Sequence, residues 1–118
     1  MTTRATIEHY FDRLANRGDW EASFADDMTF TSHTSPVKEV QTKAAYLSAT
    51  KRFYSTIGTV EVRQLLVDGD RAVALTRYEI RPPNGSPPFS SDVAEVFRVK
   101  GDAIASLDIY FDSAPFPK

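Results

Sequence analysis

The chain contains no cysteine, two histidines among 118 residues, and no apolar run of membrane-spanning length. Without cysteine there is no disulfide, no thiolate nucleophile and no Cys-ligated zinc, and a reducing compartment is permitted. His9, His33 and the scattered acids show no metal spacing such as two histidines at i and i+4 around a glutamate. A dominant charge is missing as well. The 14 Lys and Arg against 16 Asp and Glu leave a net charge of -2, which gives no electrostatic reason for nucleic acid or an anionic membrane as partner. There is no Gly-rich phosphate loop and no Gly-x-Ser-x-Gly nucleophile motif. The first residues, Met1 to Phe11, are polar and helix-like rather than a basic start followed by an apolar core. The expectation is a cytoplasmic protein with no metal, no cofactor and no nucleic-acid or membrane partner.

What is present is an ordinary globular composition, 42% hydrophobic and 25% charged, at a length that suits one domain spanning residues 1–118. The stretch from Ser90 to Asp112 organises it. Ser91, Val93, Glu95, Phe97 and Val99 alternate with Asp92, Ala94, Val96 and Arg98, Lys100-Gly101-Asp102 makes a turn, and Ala105, Leu107, Ile109 and Phe111 return on one face. Glu95 breaks the apolar face. A charge there is costly unless it is paired, protonated or facing a cavity, and the expectation is a cavity.

Upstream, Ile7, Tyr10, Phe11 and Leu14 fall at helical spacing, predicting an amphipathic helix from about Thr3 to Asn16, capped by Thr2 or Thr3 and ended by Arg17-Gly18. Asp19 is read as the cap of a short second helix carrying Trp20 and Phe24, with Asp26-Asp27 leading into a strand over Met28–Ser32. Val37 to Val40 suits a short edge strand. Thr42 suits the cap of a third helix to about Ser55, with Tyr46, Ala49 and Phe53 in phase. Two strands over Thr59–Val67 and Arg71–Arg81 flank Asp68-Gly69-Asp70, a hairpin signal, and the proline-rich run from Pro82 to Pro88 is a loop. The order predicts an α+β fold, with helices on one side of a curved antiparallel sheet and a hollow between them.

These elements, with Gly18-Asp19-Trp20, Phe24-Ala25-Asp26-Asp27, Glu95-Val96-Phe97-Arg98-Val99, Gly101-Asp102-Ala103-Ile104 and Tyr110-Phe111-Asp112, resemble the nuclear transport factor 2-like superfamily. Ketosteroid isomerases, limonene epoxide hydrolases and small polyketide cyclases, the SnoaL-like domains, share that scaffold. The resemblance implies a cone-shaped curved sheet, with three helices from the N-terminal half on its concave side, and a homodimer. It implies a pocket for a small apolar molecule. Glu95 corresponds to the protonated oxyanion acid of the isomerases and Tyr10 to their helix-one tyrosine if the loop before Gly18 is one residue longer than theirs, Phe11 taking the place otherwise, while Ser32 stands where their carboxylate base would be. Arg77-Tyr78-Glu79 resembles the Arg-x-Asp pair of the hydrolases. Ile109 takes the place of their second aspartate, and Phe30 and Ser32 replace their water-orienting Tyr and Asn. Leu107 lies where a histidine is frequent in the cyclases. No described mechanism is present in full.

In the register implied by the family, Arg77, Glu79 and Glu95 face one hollow, and they are the candidate catalytic groups. A carboxylic acid kept protonated by apolar walls donates to a developing oxyanion, and a carboxylate beside an arginine positions water or abstracts a proton. The alternative is a structural ion pair between Arg77 and Glu95 or Glu79. His33 is read at the cavity mouth, as a general acid or base or as a solvated loop residue; Tyr46, Phe53 and Phe97 are pocket-lining aromatics. The functional expectation is cofactor-independent acid–base chemistry, as an isomerase, cyclase or hydrolase. The alternative is a non-catalytic ligand-binding or dimerisation domain with a structural Arg–Glu network.

Overall fold

A computed structural model describes residues 1–116 of the chain. Helix α1, Thr3–Ala15, starts where the Thr2 side chain accepts from the Ala5 N–H at 3.0 Å, and it buries Ile7, Tyr10, Phe11 and Leu14. It ends as Arg17 takes a positive φ of 55° and the Gly18 N–H closes on the Arg13 carbonyl at 2.7 Å. The expected second helix is a single 3₁₀ turn, Trp20–Ser23. Asp19 makes no side-chain capping bond there, and the chain is already extended at Phe24. Asp26 and Asp27 therefore lie exposed inside the first strand, not ahead of it. Helix α2, Lys43–Ser55, is capped by Thr42, which accepts from the Ala45 N–H at 3.2 Å. There are thus two α-helices among the described residues, not three.

The strands are β1 (Phe24–Ser32), β2 (Lys38–Gln41), β3 (Ile57–Asp68), β4 (Arg71–Ile80), β5 (Phe89–Lys100) and β6 (Ala103–Phe111), and they form one curved sheet in the order β2-β1-β6-β5-β4-β3. Gly69 and Gly101, at φ of 61° and 62°, turn the two tight hairpins. The sheet is mixed rather than antiparallel, because β1 runs parallel to β6, with Phe30 beside Leu107 and Ser32 beside Ile109. No hairpin joins these two strands to fix their direction, and side-chain alternation is the same for parallel and antiparallel neighbours.

One face of the sheet carries Ala72, Ala74, Thr76, Tyr78 and Ile80 of β4 and Ser91, Val93, Glu95, Phe97 and Val99 of β5, all buried. Both helices cover this inner face. The Tyr10 and Phe11 rings of α1 meet Phe97 at 5.9 Å, and the Phe53 ring of α2 meets Tyr78 at 5.8 Å. Beneath α1 the contact is filled; beneath α2 it is not.

Candidate active site and ligand cavity

A cavity of about 130 Å³ lies between α2 and the inner face of β4, β5 and β6. Alternation along β5 brings Ser91, Val93 and Glu95 to its wall, and β6 adds Leu107, Ile109 and Phe111. The wall is mostly aromatic and aliphatic. Glu95 is the acid in it, and it is 4% exposed.

The surroundings of Glu95 are neutral donors. The Tyr78 hydroxyl donates to its two carboxyl oxygens at 3.0 and 2.9 Å, and the Thr76 hydroxyl lies 2.8 Å from Oε2 and 3.2 Å from the Val93 carbonyl. Among the described residues no cation pairs with it. Burial favours the uncharged form and outweighs the bonds from Thr76 and Tyr78, which favour the carboxylate, so the pKa is raised to about 7.

Three further tyrosines form a chain beside it. Tyr54 shares its hydroxyl with Tyr10 at 2.9 Å and with Tyr46 in a short contact, and Trp20 stacks on its ring at 3.9 Å. Burial pushes all three phenols well above their usual range, so they stay protonated donors at neutral pH. Three hydroxyl protons serve two internal bonds, leaving one proton for a further acceptor. Tyr46 and Tyr54 line the cavity and Tyr10 does not, so two of the three hydroxyl-bearing side chains border the ligand space.

The placement expected for Arg77 and Glu79 is overturned. The ladder pairs Ala74 with Glu95 and Arg77 with Asp92, so Thr76 and Tyr78 share the Glu95 face while Arg77 and Glu79 point to the outer one. The phase is off by one residue, which inverts a strand. Arg77 donates to Asp92 at 2.8 and 3.1 Å, and Glu79 accepts from Arg81 at 2.7 Å while lying over Gly58, in space that a Cβ there would fill. Neither reaches Glu95.

Of the expected cavity residues, Phe30, Tyr46, Phe53, Leu107 and Ile109 line it. Tyr10 and Phe97 do not, since α1 packs directly on Phe97 and Tyr10 meets the site through its hydroxyl alone. Ser32 is half-buried at the strand end, where Phe30 and Ile109 make the wall. His33 follows the alternation to the outer side, stacked on Tyr110 at 4.4 Å with Asp108 3.9 Å away. Sequence reasoning did not single out Tyr78, Thr76 and Ser91. The signal was there: Ala72, Ala74, Thr76, Tyr78 and Ile80 form the less charged phase of β4, and Ser91 continues the Glu95 face. Among the described residues no group of three His, Asp and Glu is placed to hold a metal, and no helix is long and apolar enough to cross a membrane.

The fold has many solved counterparts. A candidate SnoaL-like polyketide cyclase from Jannaschia sp. CCS1 aligns at a TM-score of 0.77 with 15% identity, covering 93% of this chain and 85% of its own. A candidate ketosteroid isomerase from Kribbella flavida DSM 17836 aligns at 0.72 with 21% identity, covering 98% and 82%. A nuclear transport factor 2-like protein of unknown function from Cytophaga hutchinsonii ATCC 33406 aligns at 0.74 with 16% identity, covering 98% and 94%. At such identities the likeness speaks for the fold alone. No curated protein matches the sequence significantly. The SnoaL-like domain model matches residues 7–107, from the first apolar residue of α1 to the cavity wall on β6, and the chain therefore belongs to the SnoaL-like domain family of the nuclear transport factor 2-like superfamily.

Proposed function

We propose that this protein binds a small, largely apolar molecule in the cavity and moves a proton on it through Glu95, without a cofactor. The observation that carries the reading is the Glu95 carboxyl. Held in an apolar wall by two neutral hydroxyls, with a pKa near 7, it is populated in both protonation states at neutral pH. Such a group takes a proton from a carbon beside a carbonyl and returns it elsewhere, an isomerisation. With its spare proton turned to the cavity from Tyr46 or Tyr54, the tyrosine chain donates to the oxygen on which the charge develops. The test follows 3-cyclohexen-1-one in D₂O by NMR, scoring deuterium incorporation and conversion to the conjugated ketone. Glu95→Gln is expected to lower the rate by about 100-fold or more; an unchanged rate overturns the reading.

A second reading, a non-catalytic binding domain, is favoured by one observation. With Arg77 and Glu79 on the outer face, Glu95 has no second carboxylate beside it in the described cavity wall. In that case the ketone shifts cavity resonances saturably and neither exchanges nor isomerises.

The partner we propose is a second copy of the chain. Leu75 of β4, Ala94 of β5 and Tyr110 of β6 form one rung across the outer face, and Leu66 and Val73 extend the patch. Leu66, Leu75 and Tyr110 are exposed apolar or aromatic side chains, of the kind an interface covers. Light scattering is expected to give a dimer mass, reduced to the monomer in Leu75→Glu.

A further inference from the structure

We propose that the ligand of this cavity is a single-ring molecule with a polar group at each end, one end bonded at Glu95 and the other at the Ser91 hydroxyl. This rests on Glu95 being the polar centre of the cavity. Ser91 lies on β5, four residues before Glu95 and on the same face; it is 1% exposed and lines the cavity. Among the described residues its Oγ has no hydrogen-bond partner. The surroundings explain why. Ser91 pairs across the ladder with Tyr78, whose hydroxyl is turned to Glu95, and the next inward side chain, Val93, has nothing to offer. A buried hydroxyl without a partner is uncommon and unfavourable. The other two such atoms, on Thr6 and His33, belong to residues that do not line the cavity.

The spacing defines the ligand. Thr76 faces Val93 in the ladder and its hydroxyl reaches Glu95 Oε2, so the carboxyl leans over the Val93 rung. From there to Ser91 is one inward-facing step, about 7 Å, close to the separation of para substituents on a six-membered ring. The volume agrees: about 130 Å³ compares with the roughly 150 Å³ of a cavity that holds benzene. The walls between the two polar points, including Leu107 and Ile109, suit an apolar ring.

The test uses two probes with equal numbers of heavy atoms, 4-hydroxybenzyl alcohol and 4-ethylphenol, titrated by calorimetry into the wild type and Ser91→Ala. The wild type is expected to prefer the alcohol, although its second hydroxyl makes it the more hydrophilic probe. Ser91→Ala is expected to shift the ratio of the two Kd values about tenfold toward 4-ethylphenol. Ser91→Cys, similar in size with a weak donor, is expected to fall between and guards against a folding defect in the alanine variant. A ratio that ignores Ser91, or a wild type that binds neither probe, overturns the inference. The Glu95 carboxyl signal, followed in the same samples, separates the two claims. If Glu95 titrates near neutrality while the ratio ignores Ser91, the ligand inference fails alone. If the ratio depends on Ser91 while Glu95 titrates as an ordinary acid, the Ser91 subsite holds and the proton-transfer reading fails.

Discussion

Asp92 and Glu95 sit three residues apart on β5 and face opposite sides of one sheet. Asp92 is exposed and bridged by Arg77 at 2.8 Å, and that bond holds its carboxyl below its ordinary value. Glu95 is buried without a cation, and desolvation lifts its carboxyl to about 7. Two acids on one strand thus move in opposite directions, one because a charge is at hand and the other because water is not. Water and a paired guanidinium keep the outer acid ionised, and the inner acid, with neither, is the one able to exchange protons near neutrality.

The strongest way to break the contrast is Glu95→Gln. In the wild type the folded pKa lies above the value of 4.5 expected for the unfolded chain, so the folded state holds the proton more tightly. Stability is therefore unpenalised below pH 4.5, falls as pH rises toward 7, and levels off above. The loss is on the order of 3 kcal/mol. Glu95→Gln is expected to remove that pH dependence, so that it gains on the wild type at alkaline pH; urea unfolding at several pH values measures it. Tyr54→Phe strikes the inner side without touching either acid. It takes away the partner of both Tyr10 and Tyr46 and is expected to destabilise by about 2 kcal/mol at any pH below the phenol range.

Tyr78→Phe sharpens the comparison. The Tyr78 bond favours the carboxylate, so its removal should raise the Glu95 pKa by about one unit, readable by carboxyl-carbon NMR, and leave Asp92 unmoved. The smallest effect is expected from Asp92→Asn. Because the folded pKa is lowered, the Arg77 bridge contributes above the unfolded value of 3.8 and is lost as pH falls through the folded one. The pair is solvent-exposed, so the change should be slight and vanish at high salt.

Much of this arrangement is legible in the sequence, and the exceptions have physical causes. Glu95 stands out because a strand with period 2 leaves no doubt which residues share its face. The same rule applied to β4 reveals Thr76 and Tyr78, but the likeness of Arg77-Tyr78-Glu79 to a catalytic pair drew attention to the wrong phase. A shift of one residue then carried both charges to the outside. The direction of β1 against β6 is set by how the chain returns after five intervening elements, which no local pattern records. The tyrosine chain joins α1 to α2 across 44 residues, and the unpartnered state of Ser91 depends on where the Tyr78 hydroxyl points. Both are properties of packing. Composition suggests aromatics in a wall, and only the fold says which hydroxyls meet.

The measurement that bears most directly on the account is a carboxyl-carbon NMR titration of the wild-type protein, with Glu95→Gln used to assign the signal. The account predicts a midpoint at about 7 for Glu95. A midpoint below about 5, in the range of an ordinary glutamate, would mean that the carboxylate stays charged at neutral pH, and the cavity would then hold no poised proton.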